Sequence, residues 1–510
     1  MISKLSWLKR LKASFTNQST DPESFSRFLT KKTTNRKYLL IATAGIFIQF
    51  IVFKLCYPFG DFFSDSYTYI NAASHHHNIS FRPIGYSRFL ELIHLMTPSD
   101  TVVVLIQYLI IQAGGLLLFF TLRYFFHLSK TICNIVFALL VFNPVLLYIS
   151  NYICSDALFI GLSLMWVNQL VWIMNKPKWI HFLPLAGLLF ITFTLRYAAL
   201  FLPVVAIWAL WYCPRNWLFK LAGAALIILP LFIEIQRIRH ITEKETGTAV
   251  FSAFGGWMSA NNVLHMYPYI EVQDTDLPST ECMVLNKIVK KYFDSLPVSK
   301  RPYPGLSFDW LWANNSPLKA YRSMVEMQTK GGTYFTSWHA VAPVFSQYSS
   351  QLIRQHPADF VHYYLLPNVK YYCLPPLESL VVYNVGESSV DEKASKWFHY
   401  KSNRVSCIDK EIQGSILKPM PYWFLLINVT FCLSLMLVFI RRKYYSLSPA
   451  LERTLVLSGG FWIINFGFSI YAAPIVFRFQ LLPMIVLTVF TAILINIITT
   501  PYHNKPASTM

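Results

Sequence analysis

The chain has 510 residues, 54% of them hydrophobic and 14% charged, with 44 Lys and Arg against 25 Asp and Glu for a formal net charge of +19. A mean hydropathy of +0.41 leaves too little polar surface to clothe soluble domains, which excludes a soluble enzyme, a secreted disulfide scaffold and a disordered chain. The basic residues cluster between apolar runs, the mark of cytoplasmic loops in a membrane protein, so the charge does not call for a nucleic-acid partner.

A membrane-crossing helix needs about 20 mostly apolar residues, because a rise of about 1.5 Å per residue must cover about 30 Å of hydrocarbon. Residues 1–37 form a polar segment rich in Lys4, Lys9, Arg10, Lys12, Arg27, Lys31, Lys32, Arg36 and Lys37, expected to stay in the cytoplasm. The first apolar run, 38–57, is full length behind that segment and reads as an uncleaved anchor. Six further runs follow at 101–122, 131–150, 157–174, 179–195, 198–213 and 217–235, and three more at 421–440, 454–473 and 480–499, giving ten expected spans and a tail at 501–510. Counted from a cytoplasmic N-terminus, the basic loops at Arg123 and Lys130, Lys176 and Lys178, Arg215 and Lys220, and Arg441, Arg442, Lys443 and Arg453 all fall on one side. Both termini are therefore expected inside.

The opposite, external face receives the loop 58–100, the turn 151–156, Arg196, the long segment 236–420 and the turn 473–480. The long segment is expected to form a small, mostly helical domain lying on the membrane, with Phe360–Tyr371 alternating in a helical period. Its three cysteines, Cys282, Cys373 and Cys407, are odd in number and lack metal-type spacing.

Charged residues on that face carry the chemistry. The first loop reads Gly60-Asp61-Phe62-Phe63-Ser64-Asp65-Ser66-Tyr67-Thr68-Tyr69-Ile70. A helix starting near Ser64 puts Asp65 and Tyr69 on one face and turns Ile70 and Ala73 toward lipid. Asp156 opens a later span, and Arg196 and Arg478 stand at the external ends of others, inside strongly apolar sequence. An ionisable residue there is costly unless paired or functional. Taken singly, Asp65 and Asp156 also read as helix caps, and the arginines as structural partners of the acids. Together they point to anionic-lipid chemistry: a guanidinium grips phosphate in a bidentate way, and an adjacent carboxylate takes a proton from a hydroxyl nucleophile. Arg82 and Arg88 either add to that phosphate field or snorkel. His75, His76 and His77 point in divergent directions and read as a solvated turn rather than a metal site, while a divalent metal held by Asp61, Asp65 or Asp156 stays open. Trp338-His339 and Ile353–Pro357 either line an acceptor site or pack interfacial helices.

These residues resemble the polytopic GT-C glycosyltransferases, which include protein O-mannosyltransferases and lipid A aminoarabinose transferases. In that family the loop after the first span carries an acidic Asp-Glu-x-x-Tyr motif and then Arg-Pro-x-Gly-Tyr-x-x-Phe-Leu. Here Asp65-Ser66-Tyr67-Thr68-Tyr69 is followed by Arg82-Pro83-Ile84-Gly85-Tyr86-Ser87-Arg88-Phe89-Leu90. Asn143-Pro144 with Ser155-Asp156-Ala157-Leu158 looks like the family's junction between its third and fourth spans, and Thr194-Leu195-Arg196 and Phe477-Arg478-Phe479 resemble its later arginine positions. Ser66 stands where many members have Glu, and Asp61 is the nearest other acid.

The resemblance implies an all-α polytopic membrane protein whose first seven spans form a GT-C-like module over 38–235. It also implies inverting transfer from a polyprenyl-phosphate-linked sugar to a glycan, lipid or protein acceptor outside the bilayer. Asp65 would be the general base, Asp156 a second acid and Asp61 a supporting one. Arg196 and Arg478 would hold the donor phosphate, with Arg82, Tyr69 and Tyr86 as further substrate contacts, and His339 of the external segment is a candidate contact from its own position rather than from the resemblance. A bacterial inner membrane is the expected location, since the end Ala507-Ser508-Thr509-Met510 carries no retention signal. A transporter or flippase of a lipid-linked sugar and a surface-polysaccharide polymerase or ligase are the competing readings.

Overall fold

The computed structural model describes residues 24–296, 305–441 and 447–499. Lys4, Lys9, Arg10 and Lys12 of the basic N-terminal segment, Arg442 and Lys443, and the tail 501–510 lie outside the described residues. Among the described residues the chain is helical, with no strand and two isolated β-bridges. In chain order the elements that matter to function are α1 (Thr33–Cys56), α2 (Ser64–Ser74), α3 (Gly85–His94), α4 (Asp100–Phe125), α5 (Lys130–Asn151), α6 (Asp156–Asn175), α7 (Phe182–Leu195), α8 (Leu202–Tyr212), α9 (Trp217–Thr246), α10 (Ala253–Leu264), α11 (Ala342–Gln355), α12 (Leu366–Cys373), α13 (Met420–Ile440), α14 (Pro449–Ala472) and α15 (Leu481–Thr499).

Among the described residues eight helices are long and apolar enough to cross a membrane, at the positions of eight of the ten expected runs. The other two runs form the shorter apolar helices Trp179–Leu195 and Tyr197–Tyr212, which meet at Arg196. Arg196 takes an extended conformation between them, with φ −151° and ψ 128°. The break places a charged side chain between two otherwise apolar stretches.

Helix α15 is apolar on every side and is buried almost throughout, packed by α13, α14, α6 and α5, as expected of a helix at the centre of a bundle. By contrast α1 and α9 leave most of their apolar surface on the outside. Helices α4 and α6 pack backbone against backbone. A Cβ on Gly161 would come within 2.8 Å of the Ile110 carbonyl carbon, so glycine is what lets the two backbones touch.

The segment 236–420 is not one unit. Helix α9 runs without interruption through the expected boundary at 235 to Thr246. Residues from Ala253 to Tyr364 build a separate core around Trp257, Trp310, Trp338, Phe345 and Tyr348. Residues from Leu377 to Leu417 instead join the core of the apolar helices, through Leu380, Tyr383, Phe398 and Val405. Their hold on the first loop is direct: the Tyr383 hydroxyl donates to the Gly60 carbonyl at 2.9 Å, and the Asn384 N–H donates to Asp61 at 2.9 Å.

Helix α2 starts at Ser64, as its sequence predicts, with Phe63 as the residue before it. Ile70 and Ala73 do not turn toward lipid: both are buried against the protein, because α3 packs along that face of α2.

A charged cavity at the ends of the apolar helices

Two helix starts point into one cavity of about 950 Å³. Asp65 lies in the first turn of α2 and Asp156 is the first residue of α6, positions where the helix dipole favours a carboxylate. Backbone pairing fixes the two starts relative to each other. The Asp61 N–H donates to the Asn151 carbonyl at 2.8 Å and the Ile153 N–H donates to the Asp61 carbonyl at 2.9 Å, tying the loop before α2 to the turn before α6.

Three guanidiniums interleave with the carboxylates. Arg82 donates through Nη2 to Asp65 Oδ1 at 2.5 Å. Arg196 donates through Nη1 to Asp156 Oδ1. Arg478 stands between the pairs, its Nη1 at 3.6 Å from Asp65 Oδ2 and 3.5 Å from Asp156 Oδ2. A third carboxylate, Glu378, closes the ring with Oε2 at 3.7 Å from Arg478 Nε. Every guanidinium also lies against aromatic faces. Arg82 is 4.5 Å from the Phe254 ring and 5.6 Å from Trp312, Arg196 is 5.0 Å from Phe479, and Arg478 is 4.8 Å from Phe63 and 4.9 Å from Phe479. These rings fix the cations without consuming their N–H donors. Two atoms in the cluster, Asp156 Oδ2 and Arg478 Nε, are buried with no hydrogen-bond partner, an uncommon condition for polar atoms away from water.

Away from the charges the cavity is lined by apolar side chains of α6, of the short turn Tyr197–Phe201 before α8, and of α14 and α15, among them Ile160, Phe201, Phe468 and Leu482. The lining is thus ionic at the two helix starts and mostly apolar elsewhere.

Of the residues predicted from sequence, Asp65, Asp156, Arg82, Arg196, Arg478 and Tyr69 share this cavity. The Tyr69 hydroxyl is 3.1 Å from Ser155 Oγ, beside the start of α6, and burial raises its pKa. The other predicted residues lie elsewhere. Asp61 is buried outside the cavity, where its carboxylate accepts from the Asn384 N–H and from Gln413 Nε2 at 3.2 Å. Burial there pushes its carboxyl up to about 7. Tyr86 is buried beneath Tyr69 and donates to Gln107 Oε1 at 2.7 Å. His339 sits in a separate small pocket behind Arg82, with Nδ1 at 2.8 Å from the Phe335 carbonyl, and burial lowers its pKa. Arg88 is paired with Glu91 at 2.8 Å.

Glu378, Phe254 and Trp312 went unread in the sequence. Nothing local marks them, since they lie in a polar segment where charged and aromatic residues are common. The backbone of Glu378 is the exception, with φ at +52°, a left-handed conformation that non-glycine residues seldom hold without surrounding constraint.

Among the described residues no group of three or more His, Cys, Asp or Glu side chains is disposed to hold a metal ion. Asp65 and Asp156 are each tied to guanidiniums and Asp61 is held apart, so the carboxylates do not fit a divalent cation. All eight cysteines are free thiols. Comparison with family models, curated protein sequences and solved structures finds no match to this chain.

Proposed function

We propose that this protein is an inverting membrane glycosyltransferase that moves a sugar from a lipid-phosphate carrier to an acceptor hydroxyl at the outer face of the bilayer. The observation that carries the reading is the divided lining of one cavity: a guanidinium and carboxylate cluster together with apolar side chains of the surrounding helices. A polyprenyl-phosphate sugar has that same division, a charged head and a hydrocarbon tail. In the reaction Asp65 takes the proton from the acceptor hydroxyl, the acceptor oxygen bonds to the anomeric carbon, and the bond from that carbon to the phosphate oxygen breaks. Arg478 and Arg196 meet the charge that develops on the departing lipid phosphate, where fixed cations contribute most. Asp156 keeps Arg196 and Arg478 aimed at that point. The likeness of the Asp65 and Arg82–Leu90 segments to GT-C enzymes supports the same assignment, as does the location it implies, a multi-pass protein of the bacterial inner membrane with both termini in the cytoplasm.

The test is transfer by purified protein in liposomes, with labelled polyprenyl-phosphate sugars and a membrane and glycan extract as acceptor source. Asp65→Asn is expected to lower turnover by about 10²- to 10⁴-fold without loss of folded protein. Wild-type turnover in the variant would refute the base assignment. Donor movement between leaflets with no transfer would make the protein a transporter.

A further inference from the structure

The charge ledger of the ion-paired cluster is balanced: three guanidiniums, Arg82, Arg196 and Arg478, face three carboxylates, Asp65, Asp156 and Glu378, while Glu387 on the cavity wall is exposed and outside the cluster. An anionic ligand entering this cluster adds charge to a neutral site, so one carboxylate has to give way. Asp65 and Asp156 are buried, hydrogen-bonded to Arg82 and Arg196, and fixed at helix starts. Glu378, the first residue of the short 3-10 helix Glu378–Val381, differs in its burial, its bonding and its backbone. Its side chain is 37% exposed, it approaches Arg478 at 3.7 Å without a hydrogen bond, and it rides on a turn held in a left-handed conformation. The turn itself is anchored, since the Phe477 N–H donates to the Pro376 carbonyl at 2.8 Å. Glu378 is thereby presented to the Nε edge of Arg478, and that Nε is the buried donor left without a hydrogen bond.

We propose that Glu378 stands in for the ligand's phosphate: its carboxylate covers the Nε edge of Arg478, takes a proton from solvent as a phosphodiester arrives, and yields that edge to it. The inference rests on the lipid-phosphate reading above and deepens it, because one releasable carboxylate matches one negative charge. A lipid phosphodiester is accepted, and a lipid diphosphate, which brings more charge than the site can release, is disfavoured. The charged groups facing Glu378 are Arg478, Asp65 and Asp156, with Arg82 behind Asp65. Glu387 and Tyr67 share the cavity wall, and Glu387 is exposed to solvent. Partial burial raises the Glu378 carboxyl above its ordinary range, with Asp65 and Asp156 adding to the rise and Arg478 opposing it.

The test uses the full chain in detergent and two probes, dodecyl methyl phosphate, whose single charge does not titrate, and dodecyl diphosphate. Affinities are read by calorimetry between about pH 5 and about pH 8, with melting temperatures confirming that each variant is folded. Wild-type affinity for the phosphodiester is expected to weaken by up to about tenfold per pH unit once Glu378 ionises. Glu378→Gln keeps the side-chain shape and removes the charge. It is expected to bind the phosphodiester independently of pH, at least about tenfold tighter than wild type at the alkaline end, and to gain affinity for the diphosphate. Glu378→Gly, which also relieves the left-handed backbone, is expected to move in the same direction. Equal affinities and equal pH profiles in wild type and Glu378→Gln overturn the stand-in role and leave phosphodiester binding intact. Absence of phosphodiester binding in wild type and both variants removes the lipid-phosphate reading and this inference with it.

Discussion

Asp61 and Asp65 are four residues apart after the same apolar run, and only what packs around each separates their roles. Asp65 sits beside two guanidiniums in an open cavity. Asp61 is sealed under Asn384 and Gln413, and burial outweighs those two hydrogen bonds to lift its carboxyl from 3.8 to about 7. A raised pKa in the folded state favours the protonated form there. Its contribution to stability is therefore full below the unfolded pKa of about 3.9 and is lost as pH rises to about 7, a change worth roughly 4 kcal/mol. Asp61→Asn retains an acceptor for the Asn384 N–H and carries no charge, so across that interval its melting temperature is expected to fall less than the wild type's. Parallel curves for the two proteins would show that Asp61 does not titrate in this way. The variant is also expected to keep its turnover, unlike Asp65→Asn. At this scale the sequence showed where ionisable residues stood against apolar runs, which was enough to find Asp65, Asp156, Arg196 and Arg478. It could not separate Asp61 from Asp65, because the groups that bury Asp61 come from more than 300 residues further on.

At the scale of elements, hydrophobic runs located the apolar helices well, because lipid and bundle core impose the same demand for apolar residues over about 20 positions. They could not show which helices reach the centre, since α15 and α1 are similarly apolar while only α15 is enclosed. The contact between α4 and α6 was also hidden, because it depends on a glycine in each helix and not on hydropathy. A Cβ on Gly161 meets backbone atoms of Ile110 and Ile111, and one on Gly114 lies 2.5 Å from the Gly161 carbonyl oxygen. Backbone cannot rotate aside as a side chain can. Gly161→Ala is therefore expected to push the helices apart and to destabilise the protein by about 1–3 kcal/mol, the usual cost of overpacking. Since Asp156 begins α6, the displacement is expected to weaken phosphodiester binding as well. Thermal denaturation in detergent and the binding assay together check this. Unchanged melting in Gly161→Ala would mean that the helices are not in backbone contact.

At the scale of the molecule, the cavity is assembled from residues 65, 82, 156, 196, 378 and 478, so no local motif could have displayed it. Its geometry depends on how the late polar segment is fastened to the turn between α14 and α15. Asn368, fully buried on α12, is the principal fastener: Nδ2 donates to the Ile470 and Ala473 carbonyls at 2.9 and 2.8 Å, and Oδ1 accepts from the Ile475 N–H at 3.0 Å. Asn262 on α10 adds longer bonds to the Tyr471 and Ala472 carbonyls at 3.2 and 3.3 Å. The turn held in this way leads directly to Arg478, the cation that two aspartates and Glu378 share. Asn368→Ala strips partners from three backbone groups, the buried Ile475 N–H and two part-buried carbonyls, and is expected to cost about 2 kcal/mol, since an unsatisfied buried group costs about 1–3 kcal/mol before relaxation and a part-buried one less. Asn262→Ala, with longer bonds and no acceptor role at this turn, is expected to cost less. Phosphodiester affinity should follow the same order, falling most in Asn368→Ala, because Arg478 loses its fixed distance from Asp65 and Asp156. If the two variants lost stability in that order but bound the phosphodiester as wild type does, the position of Arg478 would be set by α15 and the rings of Phe63 and Phe479 alone, and the polar segment would contribute Glu378 to the cavity without holding its shape.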